Sequence, residues 1–210
     1  MSRRMGNIRS KVWVKKSTTK RLFIAIPIPP FWQQALVDYQ KEAQRRQITG
    51  NIPTRWTGRE NFHITVRFIG NVEGGCISKM IETFRELLGS VHPLSLPYAQ
   101  FEVATPIDPK MIWARFTNTQ EFQALVRQCT KTIAQFLRNE CNGAKLHNGH
   151  AVVPHVTVAR LKGKVDHAGK LDASVKLPDA LPVRSLMLYE SKTFPSGSVY
   201  RTIATFHLVS

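Results

Sequence analysis

The chain has 210 residues, of which 42% are hydrophobic, and its 30 Lys and Arg against 14 Asp and Glu give a formal net charge of +16. This length and apolar content are enough for one bilobed domain or two small domains, which excludes disorder as a description of the whole chain. The basic excess favours a phosphate-rich partner or an anionic membrane surface.

The cysteines and the apolar runs limit which compartment and which kind of membrane association the protein can have. Cys76, Cys129 and Cys141 are odd in number and form no C-x-x-C pair, so neither a disulfide framework nor a zinc knuckle is indicated. The longest apolar run, residues 22–28, contains Pro27 and is too short to cross a bilayer. We therefore expect a cytoplasmic, monomeric protein that does not enter a membrane.

The first twenty residues differ in composition from the rest. Residues 1–20 contain seven Lys or Arg and no acidic residue. This composition predicts a flexible basic arm, and a solvated tail, an RNA-contacting segment and an organellar transit peptide all remain open for it. Residues 21–210 then form the single domain.

Apolar patterning predicts the elements of this domain in chain order. Helices are expected at residues 32–47, 77–88 and 122–137. Strands are expected at residues 21–27, 61–70, 94–105, 110–117, 151–161, 183–194 and 199–208, with a turn at 106–109 and a surface loop at 162–180. Strands and helices mix without regular βαβ alternation, so the pattern predicts an α+β fold.

Two strand segments contain the same short motif. The sequences NFHITVRFIG and PHVTVAR each contain His-x-Thr, with His63 and Thr65 in the first copy and His155 and Thr157 in the second. Side chains alternate along a strand, so the His and Thr of each copy share one face while the aliphatic neighbours face the core. Each strand thus presents one acid/base group and one hydroxyl.

If the two strands face each other about a pseudo-twofold axis, a phosphate between them is flanked by two imidazoles and two hydroxyls. A neutral imidazole can take a proton from an attacking water while an imidazolium protonates the departing ribose oxygen. The hydroxyls can bind non-bridging oxygens, and a nearby Arg can offset the developing charge. This scheme needs neither a metal nor a cofactor.

The paired motifs, together with RLFIAIPIP near residue 21, resemble the LigT-like RNA 2′,3′-cyclic phosphodiesterases of the 2H phosphoesterase superfamily. The resemblance covers residues 21–210 and implies a bilobal α+β fold with two antiparallel sheets, flanking helices and a central cleft. It implies hydrolysis of RNA 2′,3′-cyclic phosphate ends to 2′-phosphates, with RNA, including tRNA fragments, as the partner. Ligation or cleavage of 2′-5′ linked RNA in the same cleft is the alternative activity.

By the same resemblance His63 is the proton donor, His155 the proton acceptor, and Thr65 and Thr157 hold the phosphate; symmetry prevents the sequence from assigning the two histidine roles. Arg160 matches a basic residue that follows the second motif in relatives. Strict alternation places Arg160 on the face opposite His155, so a strand end or a bulge must turn it into the cleft.

Other residues near the motifs remain open. Arg67 falls on the face of His63 by alternation but matches no motif. Three aromatic residues are candidates to stack on a base, although core packing is the commoner role of such rings: Trp56, Phe194 and Tyr200.

Two other functions fit parts of the pattern. A non-catalytic RNA-binding module would use the basic charge and the aromatics but would need neither histidine. His147, His150 and His155 are candidate ligands of a zinc enzyme, but no acidic or thiolate ligand accompanies them at a standard spacing. The duplicated His-x-Thr favours the phosphoesterase over both.

Overall fold

The computed structural model describes residues 19–104, 111–141, 146, 152–163, 171, 174–195 and 197–209. The described helices are α1 Pro30–Arg45, α2 Ile77–Leu88 and α3 Gln120–Glu140. The described strands are β1 Thr19–Pro27, β2 Thr54–Trp56, β3 His63–Glu73, β4 Leu94–Ala104, β5 Met111–Phe116, β6 His155–Leu161, β7 Ala180–Val183, β8 Ser185–Phe194 and β9 Gly197–His207. None of the described helices has the length and apolar character needed to span a membrane.

The predicted elements are confirmed with three differences. The first strand begins at Thr19, and its Lys20 forms an ion pair of 3.3 Å with Glu190 of β8. The short strand β2 was not expected, because three residues are too few to show a period. The expected strand at 183–194 corresponds to β8, and the four-residue strand β7 before it, which pairs with β4, was not expected. The expected turn at 106–109 and residues 164–170, 172 and 173 of the expected loop at 162–180 lie outside the described residues.

The strands within the described ranges form one antiparallel sheet in the order β7-β4-β5-β6-β3-β1-β8-β9, with β2 beside β6. The order divides into two halves of four strands. Counted inward from the two edges, the equivalent positions are β7 and β9, β4 and β8, β5 and β1, and β6 and β3. The two halves meet at β3 and β6, whose register contains the single pair Ile64 and Val156. The α+β, two-lobed architecture is therefore confirmed, and its two sheets are continuous through this narrow seam.

The helices cover one face of the sheet. The indole ring of Trp32 in α1 packs on Phe116 of β5 at 5.1 Å between centroids, so α1 follows β1 in the chain but packs on the opposite half. Helix α3 follows β5 and packs against β3, while α2 packs against α3 and β9. Ile64 and Val156 lie in this core, so alternation turns the neighbouring motif residues to the other face of the sheet.

Candidate active site

The two His-x-Thr motifs lie on the two strands that form the seam. Ile64 of β3 is opposite Val156 of β6, so the antiparallel register sets His63 beside Thr157 and Thr65 beside His155. All four side chains line one cleft of about 580 Å³. The structure thus brings together the four residues of the duplicated motif, related by a pseudo-twofold axis through the seam.

Both motif strands have a β-bulge after the threonine. Along β1 and β3 the register passes from Thr65 to Arg67 and skips Val66, and along β5 and β6 it passes from Thr157 to Ala159 and skips Val158. An extra residue reverses the alternation beyond it. The same irregularity in both copies supports the pseudo-twofold relation.

The second bulge turns Arg160 into the cleft. Arg160 pairs in register with Met111, and both residues line the cleft, so the bulge required for Arg160 is present. The first bulge has the opposite consequence for Arg67, because it pairs with the core residue Ile24. The expectation that Arg67 shares the face of His63 is therefore wrong, and Phe68 occupies that position in the cleft.

A buried glutamine of α1 holds the second bulge in place. The Gln40 side-chain amide donates hydrogen bonds to the carbonyl of Val158 and to that of Thr57, each at 2.9 Å. The Val158 carbonyl also accepts a hydrogen bond from the Thr57 backbone N–H at 2.9 Å. These bonds satisfy the polar backbone groups that a bulge removes from the ladder. In the sequence Gln40 is one of several polar residues on α1, so nothing pointed to it.

Both imidazoles are oriented in the same way. Nδ1 of His63 lies 2.8 Å from the Asn61 carbonyl oxygen, and Nδ1 of His155 lies 2.8 Å from that of Val153. A carbonyl oxygen can only accept, so in each ring Nδ1 is protonated and donates. Nε2 is then the nitrogen that can gain or lose a proton, which is the arrangement that acid/base catalysis requires.

The rings around the two histidines differ. The His63 ring contacts Phe23 at 5.1 Å and meets Tyr200 edge-on at 5.0 Å between centroids. The His155 ring stacks on Trp113 at 3.8 Å with an interplanar angle of 20°. Trp113 was not expected at the site, because the sequence does not reveal that β5 pairs with β6.

The charges around the two histidines differ as well. Burial lowers the pKa of His63 to about 4; the Asn61 carbonyl opposes this shift, while the nearby charges of His155 and Arg160 add to it. Burial also lowers the pKa of His155, but there the Val153 carbonyl and the Glu102 carboxylate oppose the shift and Arg160 adds to it. In the free protein both imidazoles are therefore mainly neutral at pH 7.

The remaining candidates divide between the cleft and its surroundings. Trp56 and Tyr200 line the cleft, whereas Phe194 is 48% exposed and is not among the lining residues. Arg55, which no sequence motif marked, lines the cleft from β2. His147 and His150 lie outside the described residues, and the residues that are described contain no group of three His, Cys, Asp or Glu able to hold a metal ion.

Comparison with known proteins agrees with this geometry. The family model of LigT-like phosphoesterases matches residues 26–113, which include the first motif. An RNA 2′,3′-cyclic phosphodiesterase of Thermotoga maritima is 24% identical over 185 residues, which cover 87% of this chain and 92% of the relative, so the similarity extends over the second motif. The chain is therefore similar to LigT-like phosphoesterases over a range that includes both motifs.

Another relative and two solved structures show the same extent of similarity. An RNA 2′,3′-cyclic phosphodiesterase of Methanocaldococcus jannaschii is 27% identical over 194 residues, covering 87% of this chain and 98% of the relative. A crystal structure from Thermus thermophilus superimposes with a TM-score of 0.67 at 21% identity, covering 90% of this chain and 97% of the other. Escherichia coli LigT in complex with 3′-AMP gives a TM-score of 0.66 at 16% identity, covering 92% and 100%. The LigT-like fold therefore extends over both lobes.

Proposed function

We propose that this chain hydrolyses the 2′,3′-cyclic phosphate ends of RNA to 2′-phosphate ends by two-histidine acid/base catalysis that needs no metal. The observation that carries the proposal is the seam, where His63, Thr65, His155 and Thr157 line one cleft in twofold register. The similar proteins from Thermotoga maritima and Methanocaldococcus jannaschii are RNA 2′,3′-cyclic phosphodiesterases, and their names supply the substrate class.

The reaction needs one proton taken and one proton given at the phosphate. His155 accepts a proton from water through Nε2 as the water oxygen bonds to phosphorus, and His63 donates a proton through Nε2 to the ribose 3′ oxygen as its bond to phosphorus breaks. The two imidazoles end the step with their protonation states exchanged, and a second proton transfer through solvent restores them. The product carries the phosphate on the 2′ oxygen.

The environments of the two histidines suit these roles. A cyclic phosphate anion between the rings raises the pKa of both, because it stabilises the imidazolium forms. Glu102 favours the imidazolium that forms on His155, which makes His155 the better proton acceptor. His63 lacks such a carboxylate among its described neighbours and is the less basic ring, so it releases its proton more readily to the leaving oxygen.

The phosphate is held by neutral and charged donors. The hydroxyls of Thr65 and Thr157 donate hydrogen bonds to the non-bridging oxygens from the two sides of the seam. The Arg160 guanidinium, turned into the cleft by the bulge at Val158, stabilises the charge that grows on these oxygens in the transition state. Side chains thus supply every group that the mechanism uses.

The test is to incubate the purified protein with an oligonucleotide bearing a 2′,3′-cyclic phosphate in the presence of EDTA, and to identify the product by chromatography. Conversion to the 2′-phosphate isomer is expected. Formation of the 3′-phosphate would contradict the proposed leaving group, and loss of activity in EDTA would contradict metal independence. Joining to a second oligonucleotide through a 2′-5′ bond would instead support the ligase activity, and binding without turnover the RNA-binding module.

A further inference from the structure

Two arginines face each other across neighbouring strands at one end of the cleft. Arg55 of β2 is the direct register partner of Arg160 of β6. Side chains directly opposite in an antiparallel pair have Cβ atoms only about 5 Å apart, and like charges in such positions destabilise the sheet. The pairing therefore places two guanidinium side chains at one end of the cleft, where an anion can bind to both.

Positive charge exceeds negative charge among the described residues that line the cleft. The Arg160 guanidinium has the Met111 thioether sulfur 3.2 Å from Nη1, and a thioether is only a weak acceptor. Glu60 is the one carboxylic acid among the described lining residues, and it accepts a hydrogen bond of 3.1 Å from Asn61 and folds back over Gly58. Among the described lining residues, two guanidinium groups thus accompany one carboxylate.

The β8–β9 hairpin of the other lobe positions Arg55. A Cβ atom added to Gly197, at the start of β9, would lie 2.9 Å from Nη1 of Arg55, so the guanidinium packs against the bare glycine. Gly197 also has a φ of +136°, which other residues rarely adopt. The hairpin therefore keeps the Arg55 guanidinium over the mouth of the cleft.

The pseudo-twofold partner of this region has the opposite character. Phe68 lies five residues after His63, as Arg160 lies five residues after His155, and both line the cleft. The Phe68 ring contacts Phe23 at 5.6 Å, and Phe23 contacts Tyr200 at 5.1 Å. The four motif residues are symmetric, but one end of the cleft is cationic and the other is aromatic.

We propose that Arg55 binds the phosphodiester that precedes the terminal nucleotide of the RNA, with Arg160 between this phosphate and the cyclic one. This inference rests on the proposed function and adds that the enzyme selects oligonucleotide ends over 2′,3′-cyclic mononucleotides. Arg160 follows Thr157 by three residues, which is at most roughly 10 Å of strand. Arg55 is the register partner of Arg160 on the adjacent strand, so the next phosphate along the RNA is the one assigned to it.

The experiment compares a 2′,3′-cyclic mononucleotide with a dinucleotide that ends in the same cyclic nucleotide and contains one internal phosphate. The wild-type protein should prefer the dinucleotide in kcat/KM. In Arg55→Gln the dinucleotide preference should fall about tenfold, chiefly through KM, because a charge-assisted hydrogen bond to the internal phosphate is removed. Arg55→Lys should restore part of the preference, since a lysine keeps the charge without the bidentate geometry.

The matched control is Arg59→Gln. Arg59 is exposed, donates to the side chains of Gln33 and Gln34 at 2.9 and 3.4 Å, and does not line the cleft. This variant should keep the wild-type dinucleotide preference, and thermal unfolding should show that all variants are folded. An equal loss in Arg55→Gln for both substrates, or no loss for either, would overturn the inference.

A binding measurement separates this inference from the proposed function. The affinities of the protein for a 3′-phosphorylated mononucleoside and for a 3′-phosphorylated dinucleotide can be measured without any turnover. If wild type turns over neither cyclic substrate, the proposed function fails, but a dinucleotide preference in affinity that Arg55→Gln abolishes still supports a second phosphate site. Equal affinities of wild type for the two ligands would overturn it.

Discussion

The cleft has two flanks, one formed around His63 and Thr65 and the other around His155 and Thr157. They present the same reactive groups in different surroundings. Around His63 the neighbours are aromatic rings, and the nearby charges are cationic. Around His155 there is one stacked indole, and the carboxylate of Glu102 is close enough to raise its basicity. In the proposed mechanism the duplicated motif supplies the two groups that exchange protons, while the neighbours that differ set which ring accepts and which donates.

The largest expected effect tests whether both flanks are catalytic. His63→Ala and His155→Ala should each lower turnover by about 100-fold or more, because each removes a proton-transfer group. The control is His92→Ala, since His92 is exposed and does not line the cleft. Steady-state rates on a cyclic mononucleotide measure the effect, and near-wild-type turnover in a folded variant of either histidine would contradict the two-histidine mechanism.

The next effect tests whether the hydroxyls act symmetrically. Thr65→Val and Thr157→Val should each slow turnover by about tenfold, the value of one hydrogen bond to a charged oxygen, and should leave the apparent pKa values of the rate profile in place. Thr65→Ser and Thr157→Ser keep the hydroxyl and should stay near wild type. A valine variant that shifts the pH profile without slowing the reaction would contradict the phosphate-holding role.

The third prediction concerns the charges that differ between the flanks. The profile of kcat/KM against pH should be bell-shaped, because the reaction needs one neutral and one charged imidazole. Since burial lowers the pKa of both rings in the free enzyme, the maximum should lie below the ordinary histidine pKa of about 6.5, and the scan should extend to about pH 3. A maximum well above this value would contradict the ring environments described.

Two substitutions should move this profile in opposite directions. Arg160→Gln removes a cation that lowers the pKa of both histidines, so both limbs should move to higher pH and the rate should fall. Glu102→Gln removes an anion that raises the pKa of His155, so the limb belonging mainly to that ring should move to lower pH. Glu102 also pairs with Arg115 at 3.0 Å, and Arg115→Gln controls for loss of that ion pair. If the pH profiles of Arg160→Gln and Glu102→Gln moved in the same direction, the opposite effects of Arg160 and Glu102 on the pKa of His155 would be contradicted.

The smallest effect concerns the basic segment before the first strand. Residues 1–18 contain six Lys or Arg, and their deletion spares Thr19 and Lys20 of β1. Turnover of a cyclic mononucleotide should not change, while binding of a long RNA should weaken and its salt dependence should flatten by roughly 0.7 in log-log slope for each phosphate that the segment binds. Identical salt slopes would make the segment a passive tail or a targeting sequence, and abolished mononucleotide turnover would indicate that it helps to form the cleft.

The sequence by itself was sufficient for the α+β class, for all the described strands except the short β2 and β7, and for the four motif residues. Hydrophobic period marks helices and longer strands, and alternation assigns His63 and Thr65 to one face without knowledge of any neighbour. The resemblance to relatives assigned Arg160 to the cleft, and alternation showed that a strand end or a bulge must turn it there. The hydrophobic period and the alternation are local properties, because they depend only on residues close together in the chain.

Only the tertiary structure decided what surrounds those residues. The bulge at Val66 removed Arg67 from the cleft and put Phe68 there, and the pairing of β2 and β5 with β6 brought in Arg55 and Trp113. Strand pairing joins residues far apart in the chain, and a one-residue bulge reverses every side chain beyond it. No periodicity within a single segment reports either event, so the sequence identified the four motif residues but not the difference between the surroundings of His63 and those of His155.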